Sequence, residues 1–109
     1  MEECIFCKII RKEIPAEIVY EDEQILAFND ANPAAPVHIL VIPKEHIPSM
    51  HDLTPSNNEL IGHLHWVMKE IAREKKLESF RELCNCGADA GQAVFHLHFH
   101  ILGGKTFGR

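Results

Sequence analysis

The amino-acid sequence predicts an α+β domain in which helices pack on a single antiparallel sheet. Three observations support this class. The sequence has one long stretch with helical periodicity, and β-type runs lie on both sides of it. A parallel sheet fits poorly, because only this one helix is long enough to connect parallel strands. The chain has 109 residues, of which 46% are hydrophobic and 25% charged. That size and balance are typical of a single globular domain, which we place at residues 1–109.

The first half of the sequence predicts one short helix followed by three strands. Apolar residues recur at helical spacing within Cys4–Ile10, and Ile14-Pro15 ends that helix. Alternating or continuous β-branched and aromatic residues then predict three strands, with turns at the acidic segment 21–23 and at Asn32-Pro33. The strands are predicted at Glu17–Tyr20, Gln24–Asn29 and Val37–Ile42.

The second half predicts a long amphipathic helix and two further strands. Thr54 is a candidate N-cap with Pro55 at the first helical position, and the helix is expected to reach Lys76. His63 and His65 lie within it and are expected at the surface or an interface. Its apolar positions are Leu60, Ile61, Leu64, Val67, Met68 and Ile71. The last two strands are predicted at Phe80–Cys84 and Val94–Leu102.

Charge and terminal composition exclude several classes of function. The net charge is −5 and the basic residues are scattered, which argues against nucleic acid as a partner. The first residues lack a basic segment and a long apolar run, so neither a secretory signal nor a membrane partner is expected. We expect a cytoplasmic location, with the nucleus as an alternative for a eukaryotic source, and reduced cysteines.

Three histidines alternate with apolar residues in the last predicted strand. Because strand side chains alternate between faces, His96, His98 and His100 are expected on one face, with neighbours about 7 Å apart. Imidazole acts as a base, a nucleophile or a metal ligand. The alternatives are a solvated edge strand and a metal site, although one ion does not reach all three histidines of a straight strand.

A polar, glycine-containing loop precedes these histidines. Asn85 offers an amide, and Gly91 lets backbone N–H groups approach an anion. Together with imidazoles, these donors suit a phosphate ester or anhydride. Ordinary turn chemistry explains the same residues equally well.

The first helix begins with a Cys-x-x-Cys motif. Cys4 and Cys7 have the spacing of two zinc ligands, but a tetrahedral site needs two more. A redox pair and simple packing are the alternatives, and no thioredoxin-like context supports the redox interpretation.

The segment HLHFHIL resembles the His-φ-His-φ-His-φ-φ signature of the histidine triad superfamily, where φ is apolar. Four further segments match its Hint branch in order: Cys4–Ala16, Ala27–Pro43, Gly91-Gln92 and Leu102-Gly103-Gly104. The resemblance covers nearly the whole chain. It implies a five-stranded antiparallel sheet with two helices, and a homodimer whose two sheets join.

The same resemblance implies a phosphoramidase that acts on purine nucleoside monophosphate derivatives. His98 would attack phosphorus to form a nucleotidyl-histidine, and His100 would hold phosphoryl oxygens or the leaving group. His38 would orient His98 and fix its tautomer. Asn85, with backbone N–H groups of Gly91, Gln92 and Ala93, would stabilise phosphoryl charge.

The remaining implied residues bind the nucleoside and a metal. Asp30 would accept the ribose hydroxyls, and the base would lie between apolar walls formed by Ile5, Phe6, Ile9, Phe28 and Ala31. A structural zinc would take Cys4, Cys7, His46 and His96, with no catalytic metal required. Two alternatives to the phosphoramidase are a dinucleoside polyphosphate hydrolase or nucleotidyl transferase, and a nucleotide-binding interaction protein with little turnover.

Overall fold

The computed structural model describes residues 4–108 and confirms the α+β class with five antiparallel strands and two helices. The helices are α1 (Ile5–Ile10) and α2 (Asn58–Glu74). The strands are β1 (Ile18–Glu21), β2 (Ile25–Asn29), β3 (Val37–Pro43), β4 (Phe80–Leu83) and β5 (Phe99–Gly103). Within that part of the chain, no helix combines the length and apolar character that crossing a membrane requires.

The strands form one sheet in the order β1-β2-β3-β5-β4. Strand β5 therefore lies inside the sheet, with β3 on one side and β4 on the other, which rules out a solvated edge for the histidine segment. The β3–β5 register pairs Leu40 with His100 and His38 with Leu102. Because diagonal neighbours on one face come within side-chain reach, this register brings His38 and His100 together.

Both faces of the central strands are buried. One face of the sheet packs on α2 through a large apolar cluster that includes Leu97, Phe99 and Ile101. The opposite face packs on α1 through a smaller cluster that includes Leu40 and Ile42. The near-continuous apolar sequence of β3 is explained by this two-sided burial.

Helix α2 begins later and ends earlier than predicted. Thr54 precedes a 3₁₀ turn at Pro55–Asn57, and the Thr54 backbone N–H donates to the Asn57 side chain at 2.9 Å. The α-helix starts only at Asn58 and ends at Glu74. Lys76 has φ 60°, a left-handed conformation that cannot continue the helix.

The predicted histidine strand is wrong over its first half. Strand β5 starts at Phe99 rather than Val94, and Phe99 pairs with Val41. Pairing with β3 begins only at Phe99, although β3 itself continues to Pro43, so residues 94–98 take part in no ladder. Leu97 N–H instead donates to Ile47 O at 2.6 Å, in the segment that follows β3.

Candidate active site and adjoining metal cluster

A cavity of about 790 Å³ opens between α1, the sheet and the loop before β5. This volume lies within the range of small-molecule sites. Most residues that the sequence predicts for substrate line it: Ile5, Phe6, Ile9, Phe28, Asp30, Ala31, Asn85, Gly91, Ala93, His98 and His100. Predicted His38 and Gln92 do not belong to its lining.

His98 is held in one tautomer by its own chain. Its Nδ1 lies 2.7 Å from the backbone carbonyl oxygen of His96, which can only accept a hydrogen bond. In the neutral ring, Nδ1 therefore carries the proton and Nε2 keeps a free lone pair. The Phe6 ring meets the His98 ring edge to face at 5.1 Å, which restricts its rotation. His98 presents an unprotonated nitrogen in a cavity-lining position.

The predicted contact between His38 and His98 is wrong. His38 Nε2 lies 2.9 Å from His100 Nδ1, as the β3–β5 register requires. The His96 carbonyl, rather than His38, fixes the tautomer of His98. His38 therefore acts on the third histidine of the triad.

Asp30 faces both the cavity and His38. Its Oδ1 accepts the backbone N–H of Asn32 at 2.8 Å, and its Oδ2 lies 3.4 Å from His38 Nε2. Its side chain is about one-fifth exposed. One carboxylate oxygen thus fixes the local turn, while the other lies beside the histidine pair.

His100 has one nitrogen without a partner. Its Nε2 is buried and makes no hydrogen bond among residues 4–108, although the residue lines the cavity. Burial, and then nearby His98 and His38, lower the pKa of His100 to about 4, while Asp30 acts in the opposite direction. His100 is therefore a neutral imidazole near pH 7. A buried polar nitrogen of this kind is costly unless a ligand pairs with it.

The backbone donors predicted at Gly91 and Gln92 are already used. Gly91 N–H donates to Ala88 O at 3.0 Å, and Gln92 N–H donates to Gly87 O at 3.1 Å. Both bonds close the tight turn in which Gly91 has φ 96°. The expectation that these two N–H groups bind phosphate is thus wrong, and the Ala93 N–H and Asn85 remain as candidates.

Gln92 has a structural contact set instead. Its side chain is buried, accepts from Gly87 N–H at 2.8 Å, and donates to Pro48 O at 2.9 Å and Val94 O at 3.1 Å. These bonds join the loop before β5 to the segment after β3. Gln92 therefore holds the cavity-lining loop in place without lining the cavity itself.

Next to the cavity, four ligand-type side chains converge as the resemblance implies. Three Sγ–Nδ1 pairs lie 3.3–3.6 Å apart, the two Nδ1 atoms lie 3.2 Å apart, and all four ligand atoms lie within 4.8 Å of one another. Tetrahedral zinc with ordinary bond lengths requires about 3.3–3.8 Å between ligand atoms. The cluster consists of Cys4, Cys7, His46 and His96.

The protonation of the cluster also suits a cation. His96 Nε2 donates to Pro43 O at 2.8 Å, so its Nδ1 lone pair faces the thiols. Burial lowers the pKa of His96 to about 4, which keeps that lone pair free. Burial, and then neighbouring Cys4, raise the pKa of the Cys7 thiol. A divalent ion would offset the cost of two adjacent thiolates, and these four residues could hold one.

A second group, Asp30, His38 and His100, is equally close but unsuited to a metal. His38 Nδ1 accepts the backbone N–H of Ala34 at 2.9 Å, so Nε2 carries the ring proton. That nitrogen has no lone pair for an ion. The three residues form a hydrogen-bonded group instead.

Comparisons with known proteins agree with this geometry. A family model described as scavenger mRNA decapping enzyme C-term binding matches residues 3–108. The chain is 54% identical over 107 residues to the HIT-like protein slr1234 of Synechocystis, covering 97% of this chain and 94% of that protein. It is 41% identical over 109 residues to the purine nucleoside phosphoramidase of Escherichia coli K12, covering 98% and 92% respectively.

A solved structure shows the same fold. A HIT family hydrolase from Clostridium thermocellum superposes with a TM-score of 0.97 at 46% identity, covering 100% of this chain and 96% of that one. The chain belongs to the histidine triad (HIT) family. The predicted family is thus confirmed, and the HIT segment has three distinct environments: His96 in the metal cluster, His98 in the cavity and His100 beside His38.

Two features of this HIT site were missed by sequence reasoning. Ala34 contributes a backbone N–H, which no residue pattern marks, and Gln92 acts through its side chain at several backbone atoms.

The helix histidines lie away from the cavity, as expected. His63 Nε2 is 2.6 Å from Asp22 and His65 Nδ1 is 3.2 Å from Glu82.

Proposed function

We propose that this protein hydrolyses the phosphorus–nitrogen bond of purine nucleoside 5′-phosphoramidates. The observation that supports this most directly is the fixed His98 tautomer, with a free Nε2 lone pair in the cavity. A neutral imidazole nitrogen is a competent nucleophile toward phosphorus. The E. coli relative that bears the name purine nucleoside phosphoramidase points to the same substrate class.

The cavity divides into parts that suit the parts of such a substrate. The base packs between the apolar side chains of Phe6, Ile9 and Phe28, with Ile5 and Ala31 at the wall. The ribose hydroxyls donate to Asp30. The phosphoryl oxygens accept from His100 Nε2, whose proton is otherwise unpaired, and from Asn85.

The reaction proceeds in two displacements at phosphorus. His98 Nε2 forms a bond to phosphorus, the phosphorus–nitrogen bond breaks, and the amine leaves with one added proton. Water then attacks the nucleotidyl-histidine, the bond from phosphorus to Nε2 breaks, and AMP or GMP is released. His98 regains its original state, because Nδ1 keeps its proton throughout and donates it in a hydrogen bond to the His96 carbonyl oxygen.

The decisive experiment compares wild type with His98→Ala on an adenosine phosphoramidate that carries a fluorogenic amine. We expect a loss of at least about 10⁴-fold in kcat, as for removal of other nucleophiles. His51→Ala, at an exposed histidine, is the matched control and should keep the wild-type rate. An inactive wild type, or a His98→Ala variant with full rate, contradicts the proposal. Faster turnover of diadenosine polyphosphates would favour the polyphosphate hydrolase alternative, and nucleotide binding without turnover would favour the interaction protein.

We also propose that the cluster of Cys4, Cys7, His46 and His96 holds a structural zinc ion. The support is the donor set and its near-tetrahedral spacing. No step of the reaction needs the ion. Metal analysis of purified protein should give close to one zinc per chain, and a content below about 0.2 that is unaffected by chelators would contradict this assignment.

Finally, we propose a cytoplasmic homodimer, in which α2 contributes to the contact between two chains. Trp66 on α2 is 50% exposed, unusual for a large aromatic side chain on a monomer surface. Light scattering should give twice the 12.4 kDa chain mass for wild type, and the mass of a single chain for Trp66→Glu. A monomeric wild type would contradict the dimer.

A further inference from the structure

The hydrogen bonds around His38 and His100 start from a group whose role is fixed. A backbone N–H is always a donor, and that of Ala34 points to His38 Nδ1 at 2.9 Å. His38 Nδ1 must therefore accept, and no second proton can be placed there. His38 is held neutral, with its proton on Nε2.

The same reasoning extends to His100. His38 Nε2–H lies 2.9 Å from His100 Nδ1, which must accept that proton's hydrogen bond. His100 consequently carries its own proton on Nε2, the buried nitrogen without a partner. Asp30 Oδ2 lies 3.4 Å from the same His38 Nε2, where a proton on nitrogen suits a neighbouring carboxylate oxygen.

This arrangement limits what His100 can do. If neutral His100 gave up its Nε2 proton, it would need one from His38, and His38 could not replace it because Ala34 occupies Nδ1. Proton transfer would leave an imidazolate. Hydrogen-bond donation to developing phosphoryl charge has no such cost.

We propose that the Ala34 backbone N–H locks His38 and His100 in these tautomers, so that His100 stabilises charge and does not protonate the leaving group. Ala34 and His38 are positioning residues, and His100 is the group that touches the substrate. In this reaction the phosphorus–nitrogen bond breaks with its electron pair on nitrogen, and solvent water supplies the proton to that nitrogen. The inference rests on the proposed function.

Two substrates with the same nucleotide test the assignment. An adenosine phosphoramidate of an alkylamine releases a nitrogen that needs a proton, whereas adenosine 5′-phosphofluoridate releases fluoride, which needs none. We expect His100→Gln to lower kcat/KM, which reports the step that expels the leaving group, about 10²-fold on both, with the two factors within about threefold of each other. A loss on the phosphoramidate at least ten times larger than on the fluoridate would make His100 an acid and overturn the proposal.

Nitrogen-15 NMR of the protein without substrate tests the tautomers independently of activity. Wild type should show neutral His38 and His100, both protonated on Nε2, across about pH 6–8, where an unperturbed histidine changes charge. The groups facing His100 in that range are Asp30, His38 and His98. A protonated His100, or a proton on its Nδ1, would overturn the proposal.

Substitution of Ala34 isolates the backbone donor. Ala34→Pro removes the N–H and should allow a proton on His38 Nδ1, whereas Ala34→Gly keeps the N–H and should retain the wild-type spectrum. Circular dichroism checks that the proline variant is folded, and an unchanged His38 spectrum in a folded Ala34→Pro protein contradicts the lock. If wild type turns over neither substrate, the proposed function fails, and the NMR spectra still decide the tautomer assignment.

Discussion

The two halves of the histidine segment are held in different ways. Residues 99–103 form β5, which lies between β3 and β4; Phe99 and Ile101 enter the core under α2, while His100 faces the cavity on the other side of the sheet. Residues 94–98 lie outside the ladder, and side chains hold them: His96 in the metal cluster, His96 Nε2 on Pro43 O, and Gln92 on Val94 O. His98, the proposed nucleophile, lies in the segment held by side chains, whereas His100, the proposed phosphate donor, lies in the paired strand.

The difference indicates that His100 is held more rigidly than His98. His100 is placed by a continuous ladder, whose register sets its distance to His38. His98 depends on a short segment fixed at a few points, including Leu97 N–H on Ile47 O. Loss of one such point should perturb His98 while leaving the ladder intact.

Removal of a metal ligand should have the largest effect on stability. We expect Cys7→Ser to abolish metal binding and lower the free energy of unfolding by about 4 kcal/mol, as for loss of a structural metal. Amide exchange should accelerate at Leu97 before Ile101, because only the ladder half keeps its own bonds. Cys86→Ser, outside the cluster, is the matched control. Equal acceleration at both amides would show that residues 94–98 and residues 99–103 are not held independently.

Gln92→Leu should have an intermediate effect. It leaves Gly87 N–H and the carbonyl oxygens of Pro48 and Val94 without their side-chain partner. We expect about 2 kcal/mol lower stability by urea denaturation, with metal content unchanged. The exposed Gln24→Leu is the control. A Gln92→Leu protein as stable as wild type would show that this side chain does not hold the loop.

A change in the ladder half should have the smallest effect. A Cβ at Gly103 would lie 2.9 and 3.0 Å from the Leu77 methyl carbons, which can move, so Gly103→Ala should cost about 1 kcal/mol. Gly62→Ala, with open space on α2, should instead stabilise by about 1 kcal/mol. Thermal unfolding measures both. A Gly103→Ala variant that loses metal would show that the halves are coupled.

Within residues 4–108, sequence periodicity predicted the existence and type of each strand and α-helix, because burial patterns repeat with the period of each element; the 3₁₀ turns were not predicted. The predicted ends of these helices and strands were less accurate. Pro55 is an ordinary helix-start signal, yet the turn it opens is 3₁₀ and α2 begins at Asn58. Residues 94–98 have a strand pattern, yet they stay outside the ladder, and Leu97 N–H bonds to Ile47 O beyond the end of β3.

Most cavity-lining residues were also predictable, since they belong to motifs with strong local signals. The roles within the site were not. The family resemblance assigns His38 to His98, but strand register decides that His38 meets His100. The N–H groups of Gly91 and Gln92 were assigned to phosphate, but the turn uses them.

By itself, the sequence determined the α+β class, the family, and the set of titratable side chains available for chemistry. Residue types and spacing are enough for these, because they follow from local periodicity and motif. The tertiary structure alone decided which nitrogen of each imidazole carries a proton. That choice depends on partners distant along the chain or on backbone atoms that no residue type marks: the His96 carbonyl for His98, and the Ala34 N–H, through His38, for His100.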